Sequence, residues 1–173
     1  GIRSGAEQVE TLVLAPGNYL AFCEMPGPDP APHYTKGMMK AFTVTAPARN
    51  GALPKADLTV TLADYKFAFS HPVTAGHHVI AVTNVGPQPH MIVIIRYHQG
   101  SDARAFLDWA HNPAGKPAPG DSYGGVTTME PGDTVVITRD FTPGHYGLFC
   151  FTPDAKDGKP HFAHGMQQDF TVE

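Results

Sequence analysis

Glycine and proline punctuate this chain so often that a long helix has no room to form. The 18 Gly and 17 Pro among 173 residues stand singly between short apolar runs, the spacing of an all-β sandwich or barrel. Hydrophobic residues make up 42% and charged residues 16%, enough apolar surface for a core and too much for disorder. A formal charge of −4 without a basic cluster gives nucleic acid no electrostatic footprint. No apolar run approaches the ~20 residues that cross a bilayer. The start, Gly1-Ile2-Arg3-Ser4-Gly5, carries neither an initiating Met nor a signal peptide, so a processed or truncated chain is expected.

Self-similarity sets the domain expectation. Pro16-Gly17-Asn18-Tyr19-Leu20-Ala21-Phe22-Cys23 returns as Pro143-Gly144-His145-Tyr146-Gly147-Leu148-Phe149-Cys150. Pro32-His33-Tyr34-Thr35-Lys36-Gly37-Met38 returns as Pro160-His161-Phe162-Ala163-His164-Gly165-Met166, and Phe42-Thr43-Val44 as Phe170-Thr171-Val172. Residues 1–46 therefore read as the closing half of a first repeat and 56–173 as a complete copy. The stretch 47–55, with Asn50-Gly51 and flanking Pro, reads as a linker.

Within the complete copy, Leu58–Leu62, Tyr65–Phe69 and His78–Thr83 are expected as strands that pair as hairpins. Met91–Ile95 is apolar throughout and too short for a helix, which predicts a central strand buried on both faces. Ser101–His111 is expected as one short helix opened by a Ser cap. Pro113–Gly125 reads as loop, and Thr134–Thr138, Tyr146–Cys150 and Gln168–Glu173 as the closing strands.

The chemistry concentrates after Phe141. Cys150, His161 and Met166 offer a thiolate, an imidazole and a thioether in order, and soft donors of this kind select copper. A trigonal His2Cys site with an axial Met needs a second imidazole, and His90, where a turn meets the apolar run, is the candidate. His164 could replace His161 or Met166. His161 is preferred because the first repeat keeps His33 at that place but has Lys36 where His164 stands. Cys23, His33 and Met38 repeat the same order without a fourth ligand, an incomplete second site. By count alone Cys23 and Cys150 could form one disulfide, but the repeated context of each favours two equivalent thiols. A free Cys can also be a small core hydrophobe, and a Met core filler.

These residues together resemble the cupredoxins, the blue-copper group that includes plastocyanin and azurin: Asn84-x-Gly86-x3-His90 before a strand, Pro131-Gly132 and Pro143-Gly144 before strands, then Cys150, His161 and Met166. The resemblance covers 56–173 fully and 1–46 as a half. It implies a Greek-key β-sandwich with copper held at one end by His90, Cys150, His161 and Met166. One departure is the Cys-to-His interval: ten residues, Phe151–Pro160, where the family usually has two to four. The insertion is polar and turn-rich, so it can bulge outward with its ends together, and closure entropy grows only about 0.6 kcal/mol per doubling of length.

The expected function is one-electron transfer by a periplasmic or secreted copper protein with a redox partner, not an enzyme, since no His-x-His pair suited to a trinuclear copper cluster occurs. Two alternatives stay open. One is copper trafficking or tolerance, with Met38 and Met39 as extra soft ligands. The other is an interaction module that keeps the sandwich without the metal. The open sheet edge of the first half would also permit a homodimer.

Overall fold

A computed structural model describes residues 5, 7–25, 29, 31–46, 51–113 and 115–173. Two compact units are present: Val13–Leu53, and Pro54–Glu173 together with the stretch that ends at Leu12. The start, Gly1–Ser4, and residues 47–50 of the expected linker lie outside the described residues.

The larger unit is a sandwich of two sheets. Strands β1 (Glu10–Leu12), β4 (Leu58–Ala63), β5 (Lys66–Phe69), β6 (Gly76–Asn84) and β9 (Thr134–Phe141) form the first, in the order β1-β9-β6-β4-β5. Strands β7 (His90–Tyr97), β8 (Gly120–Met129), β10 (Gly144–Phe149) and β11 (Gln167–Val172) form the second, in the order β11-β10-β7-β8. Alternation sends every second side chain inward: Leu58, Leu62, Ile80, Val82 and Ile137 from one sheet meet Ile92, Ile94, Leu148 and Val172 from the other in one core. On the outer face of the second sheet, Ile95, Tyr97 and Phe149 pack against Phe106 of α1 (Ala103–His111). Burial on both faces is what demands the uninterrupted apolar run Met91–Ile95, and the all-β architecture with one short helix is as the sequence led us to expect.

Three expectations need correction. β6 is not hairpin-paired with β5; it runs parallel to β4, from Leu58↔Ile80 to Leu62↔Asn84, so β4 lies between the two. The expected loop Pro113–Gly125 stops short of Gly120, where strand Gly120–Met129 begins: glycines erased its alternation signal. They are required where β8 bulges against β7, since a Cβ on Gly125, at φ +140°, would lie 1.9 Å from the Ile92 carbonyl oxygen. The helix is capped by Asp102 instead of Ser101, its carboxylate accepting from the Ala105 N–H at 2.8 Å, the usual satisfaction of an orphan donor in the first turn. Both cysteines are free.

The smaller unit pairs β2 (Gly17–Phe22) with β3 (Met39–Val44) antiparallel, from Gly17↔Val44 to Phe22↔Met39. A 3-10 turn at His33–Lys36 leads into Gly37, whose φ of 94° favours glycine. Tyr19 stacks on Phe42 with ring centroids 5.6 Å apart.

Candidate metal centre

Three elements deliver the ligand candidates of the larger unit to one end of the sandwich. His90 opens β7, and the loop before it is pinned by the fully buried Asn84. That amide donates to the carbonyls of Gln88 (2.8 Å) and Met129 (3.0 Å) and accepts from the Gly86 N–H (3.0 Å). Cys150 follows β10. His161 begins a 3-10 turn, His161–His164, that Gly165 closes at φ 98°, and Met166 leads into β11. The ten-residue insertion does not separate Cys150 from His161. The Phe162 N–H donates to the Cys150 carbonyl and the His161 N–H to the Thr152 carbonyl, both at 2.9 Å, while Pro153 and Pro160 form a bridge at the loop neck.

The result is a buried cluster. His90 Nδ1 and His161 Nδ1 are 3.0 Å apart, and Cys150 Sγ lies 3.9 Å from the first and 3.5 Å from the second. All three ligand atoms fall within 4.8 Å of one another. Donor atoms some 3–4 Å apart suit one ion with metal–nitrogen and metal–sulfur bonds of about 2.0–2.3 Å. Cys150, His90, His161 and Met166 are all fully buried, and the Cys150 N–H donates to the Met166 carbonyl at 3.2 Å, so the thioether residue belongs to the same frame. The donor set of two imidazoles, a thiol and a thioether fits copper.

Carboxylates address the outer nitrogen of each imidazole. Asp64 Oδ1 lies 3.0 Å from His90 Nε2 and Asp154 Oδ2 3.7 Å from His161 Nε2. At His90 the bond to Asp64 holds a proton on Nε2 and leaves the Nδ1 lone pair free for a metal, the usual task of such a partner. Asp154, at 3.7 Å, makes no hydrogen bond to His161 and acts on it through its charge. Burial lowers both imidazole pKa values, opposed at His90 by its bond to Asp64 and at His161 by the charge of Asp154. Burial therefore favours the neutral form of both rings. The Tyr65 hydroxyl donates to Asp154 Oδ2 at 2.5 Å and the Lys156 N–H to its other oxygen at 2.8 Å, holding this carboxyl well below its ordinary range. At the thiol, the Met91 N–H points to Cys150 Sγ at 3.4 Å, a contact that tempers sulfur basicity.

Of the residues singled out from sequence, His90, Cys150, His161 and Met166 share this buried end. His164 does not: its Nε2 binds Asp157 of the insertion at 3.1 Å. Cys23 and His33 meet in the smaller unit, Sγ to Nδ1 3.6 Å. Sequence reasoning missed Asp64, Tyr65 and Asp154, separated from their partners by 26, 89 and 7 positions. It also missed the direction of the insertion, which bulges at its tip yet turns Asp154 inward, 4% exposed. Asp64 and Tyr65 form the two-residue turn between β4 and β5, where Tyr65 takes a φ of 60°, unusual for a bulky residue.

No protein-family model matches this chain, and no curated protein does. Among solved structures it is similar to dithionite-reduced auracyanin from the photosynthetic bacterium Roseiflexus castenholzii (20% identity, TM-score 0.44, 66% of this chain and 94% of that one). It is similar also to auracyanin B (19%, 0.42, 66% and 86%) and to a Cu-containing nitrite reductase from Thermus scotoductus SA-01 (16%, 0.35, 91% and 41%). At such distances the likeness says nothing of the site. Two packed sheets with a His-Cys-His-Met cluster buried at one end make the larger unit a cupredoxin-like domain.

Proposed function

We propose that the chain is an electron carrier that works outside the cytoplasm, taking up and releasing one electron at a mononuclear copper site of His90, Cys150, His161 and Met166. One observation carries the reading: two imidazole Nδ1 atoms and a thiol sulfur converge in a fully buried pocket, each already within 4 Å of the others. Copper bound there supplies a one-electron couple between Cu(I) and Cu(II). The residues do the rest. Asp64 orients the His90 ring, Asp154 places a charge beside His161, the Cys150 thiol gives up its proton to become a ligand, and a packed sandwich lets both oxidation states share one geometry. Full burial of all four side chains, with Cys150 and Met166 packed into the main core, excludes water. A redox partner protein would meet the end of the sandwich that carries the site.

The test is spectroscopic. Adding Cu(II) should give intense visible absorption from the copper–thiolate bond, reversible with dithionite and abolished by Cys150→Ser. Copper bound without that absorption would replace the electron carrier with a copper-handling protein. Failure to bind copper at all would leave a metal-free interaction module.

A further inference from the structure

We infer that the smaller unit, Val13–Leu53, holds a second metal site, a three-ligand Cu(I) site formed by Cys23, His33 and Met38. Its local structure reproduces the frame of the Cys150 site contact by contact. Cys23 Sγ lies 3.6 Å from His33 Nδ1, against 3.5 Å for Cys150 and His161. The Cys23 N–H donates to the Met38 carbonyl at 3.1 Å, as Cys150 does to Met166 at 3.2 Å. The Tyr34 N–H donates to the Cys23 carbonyl at 2.9 Å, as Phe162 does to Cys150 at 2.9 Å. Gly37 and Gly165 close the two 3-10 turns at φ 94° and 98°. Even the tyrosine within each strand makes the same bond: Tyr19 to the Ala15 carbonyl and Tyr146 to the Thr142 carbonyl, both at 2.8 Å.

What the smaller unit lacks decides the metal and its oxidation state. His33 is the one histidine between Val13 and Leu53, so nothing in this unit corresponds to His90. A thiolate, a thioether and a single imidazole form a soft set that suits Cu(I) and leaves Cu(II) short of nitrogen donors. Exposure differs too. Cys150, His161 and Met166 are sealed, whereas Cys23 and His33 are half-buried and Met38 is 59% exposed. A buried site shields its ion; this one leaves its ligands open to direct transfer of the ion to another protein. Binding requires no redox step: the Cys23 thiol proton leaves to solvent as the sulfur–copper bond forms, and His33 Nδ1 donates its lone pair with the ring proton on Nε2.

The choice of copper rests on the reading of the Cys150 site, so the test separates the two. Full-length chain carrying Cys150→Ser is titrated anaerobically with Cu(I) against a chromophoric Cu(I) chelator. One tightly held equivalent per chain is expected, lost when Cys23→Ser is added. Met38→Leu, a change of similar volume at an exposed position, should weaken retention at least tenfold if Cys23→Ser disturbs folding. No retained Cu(I) in the Cys150→Ser chain, or retention indifferent to Cys23 and Met38, would overturn the second site. The visible spectrum of the wild-type Cu(II) form reports on the first site alone.

Discussion

Asp64 Oδ1 sits 3.0 Å from His90 Nε2, on the opposite side of the imidazole from Cys150. A carboxylate there makes the ring a better donor and places negative charge near the site, favouring the more positive oxidation state of a bound metal. Asp64→Asn keeps an acceptor and removes the charge. The reduction potential of the copper-loaded protein should then rise by about 60 mV, one tenfold change in the relative stability of the two states for a one-electron couple. Spectroelectrochemical titration measures it, and an unchanged potential would remove Asp64 from this role.

Gly86 exists to permit that pair. A Cβ at this position would lie 2.7 Å from His90 Nε2 and 3.0 Å from Asp64 Oδ1. Gly86→Ala must push the ring or the carboxylate aside, and disturbing an orienting partner typically weakens metal binding by about 10–100-fold. Chelator competition against the wild type reads this directly.

Asp154 anchors the insertion. With Asp154→Ala the Tyr65 hydroxyl loses its 2.5 Å partner, His161 Nε2 its nearest carboxylate, and Lys156 the acceptor of its N–H. Amide hydrogen exchange across 153–160 should accelerate, and Asp154→Asn, which still accepts from Tyr65, should restore most of the protection. Equal exchange in all three proteins would show that the Pro153–Pro160 bridge closes the loop unaided.

Metal-free protein should weaken in acid. The folded pKa of both His90 and His161 is lowered from 6.5, chiefly by burial, so below that value the unfolded chain binds more protons. Stability is therefore full above about pH 6.5 and falls as the pH drops from there toward the folded values. Thermal unfolding of the metal-free form between pH 8 and pH 5 tests the sign. Replacing His90 with Gln should flatten the curve.

Core packing sets the scaffold. Leu62 is fully buried on β4, two residues before Asp64, and Leu62→Ala should cost about 2–5 kcal/mol in denaturant unfolding. A loss below 1 kcal/mol would mean that the sheets can close over the cavity.

Much of the scaffold was legible because burial writes periods into the chain. Leu58, Val60 and Leu62 alternate since one face of β4 meets the core, and Met91–Ile95 does not since β7 is covered on both faces. Gly124 and Gly125 carried no such record, being chosen for backbone space at a bulge, so β8 was invisible. The parallel pairing of β6 with β4 was equally hidden, because a strand's own pattern does not name its neighbour.

By itself the sequence determined which donor types exist, their order and the strands that bear them: a soft ligand's identity is covalent, and so is its distance along the chain. Only the tertiary structure decided that His90 and His161 present Nδ1 to one point, that Asp64 and Asp154 stand behind them, and that His164 turns instead to Asp157. Those choices depend on which segments the two sheets bring together, a matter of packing across dozens of residues that local pattern does not encode.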